Sequence, residues 1–402
     1  MSAERVAILG AGLLGACTAL ELARRGRRVT LIDRAPDVMQ GASRWNEGKI
    51  HLGYLYPADP SLSTAARLIP GALAFRDLME RLTGCSLENW VSDWDVYLVH
   101  RKSVVDRDAY AGYTDAVTRM VHDAAREKGA RYLRDLKTAG VHHLSGAELA
   151  QATSSDDIMA GFRVPERSVS TVPVADAIAA AVRAEPLIEI RVGVDVRAVR
   201  RRDDGRLDVT ADGADDLTAF DTVVNALWEG RPLVDATMGV EPSGAWSHRL
   251  RAAIYAKAPA STIRCATVCT GPFGDVKHYA DGRLYLSWYD AGLLSQGHEL
   301  APPRSDALLS TERLDRVRTE TLAALARFFP EVAGVEASAD SIEVHAGWVY
   351  AIGAGSLSNP ASSLHRRDRF VITADRGYIS VDTGKYSVAP WLAQRVAAML
   401  TD

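Results

Sequence analysis

A chain of 402 residues is too long for one small core, so two structural lobes are expected, and 47% hydrophobic with 24% charged residues is a folded rather than a disordered composition. A formal net charge of -4 gives no electrostatic pull toward nucleic acid, and no apolar run approaches the ~20 residues of a membrane span, so a cytoplasmic protein is expected. Cys17, Cys85, Cys265 and Cys269 are scattered, which argues against a disulfide framework, and no second pair accompanies Cys265 and Cys269 to complete a metal site.

The first element is the most informative. Four apolar residues, Val6 to Leu9, read as a buried strand that runs into Gly10, Gly12 and Gly15 and then into a helical apolar pattern through Leu22. In this G-x-G-x-x-G turn Gly10 permits the tight bend, Gly12 lets the backbone approach a pyrophosphate, and Gly15 lets the helix pack closely on the strand. A second strand over residues 28–32 ends in Asp33, the acid that accepts a ribose hydroxyl. A dinucleotide site follows from that order of elements. A cleaved secretory segment is disfavoured by Arg24, Arg25, Arg27 and Arg28 behind the apolar stretch, and Gly26 reads as the left-handed cap of the helix.

Residues 41–56, GASRWNEGKIHLGYLY, form a glycine-punctuated connection of a length that is usually functional. The strand, the G-A-G-L-L-G turn, the helix, Asp33 and then S-R-x-N-x-G-x-I-H-x-G resemble a flavin-binding superfamily. It contains D-amino-acid oxidase, glycine oxidase, sarcosine oxidase, 2-hydroxyglutarate dehydrogenase and glycerol-3-phosphate dehydrogenase. The resemblance implies FAD rather than NAD. It places Gly10, Gly12, Leu13, Leu14, Gly15, Asp33 and Arg34 at the dinucleotide, Ser43 and Arg44 at the phosphates, and Gly48, Lys49, Ile50 and His51 along the flavin edge. Three roles stand open for His51: a hydrogen bond within the loop, a place beside the flavin, or covalent attachment of it.

Further along, helices are expected over residues 61–82 and 106–128, with a strand over 94–100 between them and a capping-box start where Ser145 precedes Glu148 by three. An alanine-rich helix begins near Pro173, a strand covers 188–199, and the turn Asp203, Asp204, Gly205 leads to a hairpin partner over 206–211. In relatives a valine at the place of Val196 holds the adenine through its backbone. The strand over 220–228 resembles the family's D-x-V-V-N-A-A-G, except that Leu227 and Trp228 replace a small residue and glycine.

Residues 254–289 read as antiparallel sheet with a turn at Ala280, Asp281 and Gly282; by analogy Lys277, His278, Tyr285 and Tyr289 are pocket candidates. A helix covers 311–329. Residues 341–355 resemble the strand that carries A-G-x-R-P in amino-acid oxidases, but Val349 stands where the carboxylate-clamping arginine belongs, beside Tyr350. Either a carboxylate is then bound elsewhere, by Lys277 or Arg44, or the substrate is not a simple small amino acid. At the C-terminus come strand, turn, strand, then Gly384, Lys385, Tyr386 and Ser387 ahead of a helix whose N-terminus, in the family, points at the pyrimidine end of the flavin.

The expected architecture is α/β with an α+β second lobe: a discontinuous FAD-binding Rossmann-like domain of residues 1–83, 163–231 and 342–402, and a substrate domain of 84–162 and 232–341 built on antiparallel sheet. The resemblance implies a glycine-oxidase-like amine or amino-acid oxidase that uses molecular oxygen, with His51, Lys277, His278 and Tyr350 as catalytic candidates and no metal. The alternatives are a 2-hydroxy-acid or polyol-phosphate dehydrogenase, or a flavin-binding subunit without turnover.

Overall fold

The computed structural model describes residues 4–129, 131–136, 140–212, 217–242 and 244–401. Two large sheets dominate. The first has six strands in the order Ile372–Asp375, Tyr378–Val381, Thr222–Asn225, Val6–Leu9, Val29–Asp33, Ile188–Val192. Val6–Leu9 is fully buried at its centre and pairs in parallel with Thr222–Asn225 and Val29–Asp33. The helix Leu13–Ala23 makes the crossover between two of these strands, and each of its residues is buried. It packs against Thr171–Ala184 and Ala389–Met399 as well as the sheet, which is why its apolar residues run all round it rather than along one stripe.

The second sheet has nine strands. Its path runs Leu293–Gly297, Trp246–Lys257, Arg283–Trp288, Gly274–His278, Ala266–Cys269, Asp95–His100, Ile158–Val164, His142–His143, and Ser341–Ile352 also pairs with Trp246–Lys257. Residues 342–352, expected with the cofactor unit, therefore run in this larger sheet. The fold is mixed α/β, as expected.

Most helices follow the pattern read from sequence. Ser63–Thr83, Thr171–Ala184, Thr311–Ala326 and Ala389–Met399 all form. Arg107–Lys128 is capped by Asp106, which accepts from the Ala109 N–H at 2.8 Å, and Gly146–Ala152 opens with the complete Ser145/Glu148 capping box. Gly26 takes φ +77°, as its place behind the first helix requires.

Three expectations change. The strand over 188–199 is two strands, Ile188–Val192 and Asp195–Arg201, in different sheets, because Gly193 turns the chain at φ +73°. Residues 254–289 are not wholly antiparallel: Ala266–Cys269 pairs in parallel with Asp95–His100, a neighbour drawn from far earlier in the chain. The strand over 220–228 stops at Asn225, and Trp228 enters a short 3-10 turn at φ +57°. All four cysteines are free, with only Cys85 exposed. Among the described residues no helix is long and apolar enough to cross a membrane.

Candidate active site

A cavity of about 520 Å³ runs from the glycine turn to the face of the larger sheet. At its first end lie Gly10, Gly12, Leu13, Leu14, Asp33, Arg34, Ser43 and Val196. The turn is built for close approach: a Cβ on Gly10 would stand 2.7 Å from the Ala226 carbonyl oxygen, and one on Gly15 would stand 1.8 Å from that of Gly10. Gly15 is thus a packing residue behind the turn rather than a wall of the cavity. Asp33 accepts from the N–H groups of Ala11 at 2.6 Å and Ala35 at 2.8 Å, and burial raises its pKa despite them. Arg34 is held at 2.5 Å by Glu229. The Ser43 hydroxyl accepts from Leu13 N–H at 2.9 Å, and the helix carries no acid in its first turn, so its positive end is left for an anion. This cradle fits the pyrophosphate, ribose and adenine of FAD.

Arg44 does not join the cradle; it pairs with Asp176 at 2.8 Å and lies over Trp45. Gly48, at φ +59°, has room for no side chain against the Val169 carbonyl, and the Ile50 carbonyl accepts from the Tyr132 hydroxyl at 2.6 Å. These two shape the loop, and Lys49 and His51 reach the cavity wall.

Lys49 is almost completely buried and its ammonium lies 2.8 Å from Asp95, with Thr267 at 2.9 Å. Lys277 bonds the same Asp95 oxygen at 2.8 Å and the same Thr267 hydroxyl at 2.8 Å. Burial works against the charged forms of Asp95 and Lys277, but the two lysines hold the Asp95 pKa below its usual value, and Asp95 with Asp275 raises that of Lys277. His51 is equally buried, with Nδ1 3.3 Å from Glu166 and Nε2 3.5 Å from the Tyr56 hydroxyl. Burial and the charge of Lys385 lower its pKa to about 4, so it is neutral at pH 7. The Glu166 pKa is lowered to about 2: burial would raise it, but His51, Lys49 and the Tyr97 hydroxyl outweigh that, and it also accepts from the N–H groups of Leu52 and Gly53.

From the C-terminus, Gly384, Lys385 and Tyr386 line the cavity just ahead of the helix Ala389–Met399, while Ser387 is buried behind them. Burial, with Arg367 and Arg249 nearby, lowers the Lys385 pKa to about 8 although Glu47 opposes the shift.

Three of the four proposed catalytic side chains do not reach the wall. Lys277 sits behind Lys49, fully buried. His278, one residue on, faces the other side of its strand and bonds the Ile263 carbonyl at 3.0 Å. Tyr350 likewise alternates away from Val349, its ring 4.9 Å beneath the Arg231 guanidinium. Tyr289 lies beside Arg249 and Arg251 rather than on the wall, whereas Tyr285 does line the cavity. With Trp45 and Tyr255 it forms an aromatic wall of edge-to-face pairs at 5.1 and 5.4 Å. Trp228 fills the place expected for glycine, its indole N–H bonded to the Trp348 carbonyl at 2.7 Å, and it too lines the cavity.

Comparison with known proteins decides the family. Residues 5–354 match the model described as "DAO: FAD dependent oxidoreductase". The chain belongs to the DAO family of FAD-dependent oxidoreductases. A D-amino acid dehydrogenase of Chromohalobacter salexigens is 25% identical over 331 residues, covering 73% of this chain and 78% of that protein. Among solved structures, the glycine oxidase of Geobacillus kaustophilus aligns with a TM-score of 0.66 at 18% identity over 99% of this chain and 95% of that one. The FAD-bound L-α-glycerophosphate oxidase of Mycoplasma pneumoniae aligns with 0.65 at 15% over 100% and 95%.

This DAO-family chain adds wall residues that the sequence reading did not select: Glu47, Arg251 and Arg367. A signal for the second was present, because W-S-H-R-L-R-A-A-I-Y-A-K puts arginines two apart ahead of an apolar run in one strand, where alternate residues share a face. Arg367 lies in a charged run, HRRDR, that carries no periodicity by which to single it out.

Proposed function

We propose that this enzyme oxidises the carbon–nitrogen bond of an amino acid or N-substituted glycine to an imine, with oxygen as acceptor and hydrogen peroxide as product. The observation that carries the reading is the continuity of one cavity from the dinucleotide cradle to an aromatic and cationic end, with Tyr255, Tyr285, Arg251 and Lys385 on its walls. FAD, when bound, supplies the hydride acceptor. The chain orients the reacting carbon and excludes water. A neutral amine needs no protein base, which suits a site whose wall histidine, His51, has its pKa lowered to about 4 and is a weak base at pH 7. The related D-amino acid dehydrogenase and the glycine oxidase likeness support an amino-acid substrate.

A second reading, a 2-hydroxy-acid or polyol-phosphate dehydrogenase, is favoured by Lys385 and Arg367 on the wall, two cations suited to a phosphate, and by Glu166 standing behind His51. Anaerobic mixing of the FAD-loaded enzyme with amino acids, N-alkyl glycines and hydroxy acids separates the two. Bleaching of the flavin absorbance by an amine, with peroxide on readmission of air, is expected; bleaching by hydroxy acids alone overturns the amine reading.

A further inference from the structure

The strands Trp246–Lys257 and Ser341–Ile352 pair over their whole length, and this ladder sets Arg249 directly opposite Val349 and Arg251 directly opposite Gly347. Residues opposed in an antiparallel ladder project from the same face. Val349, Gly347 and Arg251 all line the cavity, so the neighbouring strand brings a guanidinium to the wall that carries Val349.

Neither guanidinium has a carboxylate partner among the described residues. Arg249, 4% exposed, donates from Nη1 to the Tyr289 hydroxyl at 3.1 Å, and Arg251 lies 4.0 Å over the ring of the same tyrosine. The Nε of each is buried with no hydrogen-bond partner. A buried cation left in this way is unfavourable unless an anion joins it, and the planar fork of arginine is the best match to a carboxylate. At the same end of the cavity Arg367 donates from Nη1 only to the carbonyls of Leu364 and Arg366, and Lys385 sits over the Tyr56 ring. Arg251, Arg367 and Lys385 thus line the cavity together with Glu47, and Arg249 stands two residues from Arg251 on the same face of its strand.

We infer that the substrate is an amine bearing two carboxylates, one held by Arg249 and Arg251 across the strand pair and the other by Arg367 and Lys385. The inference rests on the cavity being the substrate site of an amine-oxidising flavoenzyme. Redox-inert acids test it without turnover. The FAD-loaded protein is titrated with malonate, succinate and glutarate, and with acetate and butyrate, and the shift of the flavin absorbance bands is read. At least one dicarboxylate is expected to bind roughly tenfold more tightly than either monocarboxylate, the worth of one charge-assisted anion contact. Arg249→Met should weaken both kinds of acid by about tenfold, whereas Lys385→Met should abolish the dicarboxylate preference and leave monocarboxylates within about twofold. Arg251→Gln serves in place of Arg249→Met if that variant fails to fold. Equal binding of the two kinds of acid, or undiminished dicarboxylate binding in the folded arginine variants, overturns the inference. Dicarboxylate preference without bleaching by any amine would instead sink the proposed reaction and leave the anion site standing.

Discussion

One oxygen of Asp95 serves two buried lysines, Lys49 and Lys277, and this sharing decides what each can do. Lys277 was a reasonable pocket candidate because it stands opposite Tyr285 in the sheet, and Tyr285 does line the cavity. Its reach is taken up by Asp95, which no spacing in the sequence reveals. Removing one partner from such a cluster leaves uncompensated buried charge, so Asp95→Asn should lower unfolding stability by about 3–5 kcal/mol, measured by urea denaturation. Lys277→Met should cost less, because Lys49 still pairs with Asp95. His51 gives a pH signature. Its folded pKa, lowered to about 4, lies below the value near 6.5 in the unfolded chain, so the unfolded state binds the proton first. Stability from this group is complete above about pH 6.5 and falls as the pH drops toward about 4, by on the order of 3 kcal/mol. Denaturation midpoints between those pH values should fall steeply, and His51→Asn should flatten that part of the curve.

At the scale of elements, alternation was read correctly where a strand kept its register and misread where the chain bent. Gly193 divides what looked like one strand, since glycine's freedom at positive φ leaves no mark in a pattern of alternating valines. His278 and Tyr350 fell on the wrong face for the same kind of reason: period two assigns faces only relative to a known neighbour. The first helix shows the opposite case, in which the glycine triplet specified the geometry outright. Gly15 touches Gly10 and not the cavity, so Gly15→Ala tests the turn through packing alone. An added methyl of this kind costs about 1–3 kcal/mol of overpacking, and FAD affinity, followed by quenching of flavin fluorescence, should fall by about tenfold or more. An unchanged affinity would mean that the close approach of turn and helix does not hold the dinucleotide.

Over the whole molecule, the cavity is made by both sheets and by the loop between them, with walls contributed from Gly10 at one end of the chain to Ala389 at the other. A ligand that bridges such remote segments binds the folded state only, so FAD should stabilise the folded chain by about 2.7 kcal/mol at a hundredfold excess over its Kd, and the denaturation temperature should rise steadily with the logarithm of its concentration. Thermal melts over an FAD series measure this, and a melting temperature indifferent to FAD would contradict the cradle.

The sequence by itself determined a dinucleotide site, because that cradle is local: strand, glycine turn, helix and acid lie within 28 consecutive residues, Val6 to Asp33, and each has a steric or dipolar reason to be where it is, while the choice of FAD over NAD came from the resemblance carried by the loop after it. It also showed what was missing, the arginine at Val349. Only the tertiary structure decided which arginines stand beside that position. Arg249 and Val349 are 100 residues apart and become neighbours through strand pairing, a relation set by long-range register that no local pattern encodes.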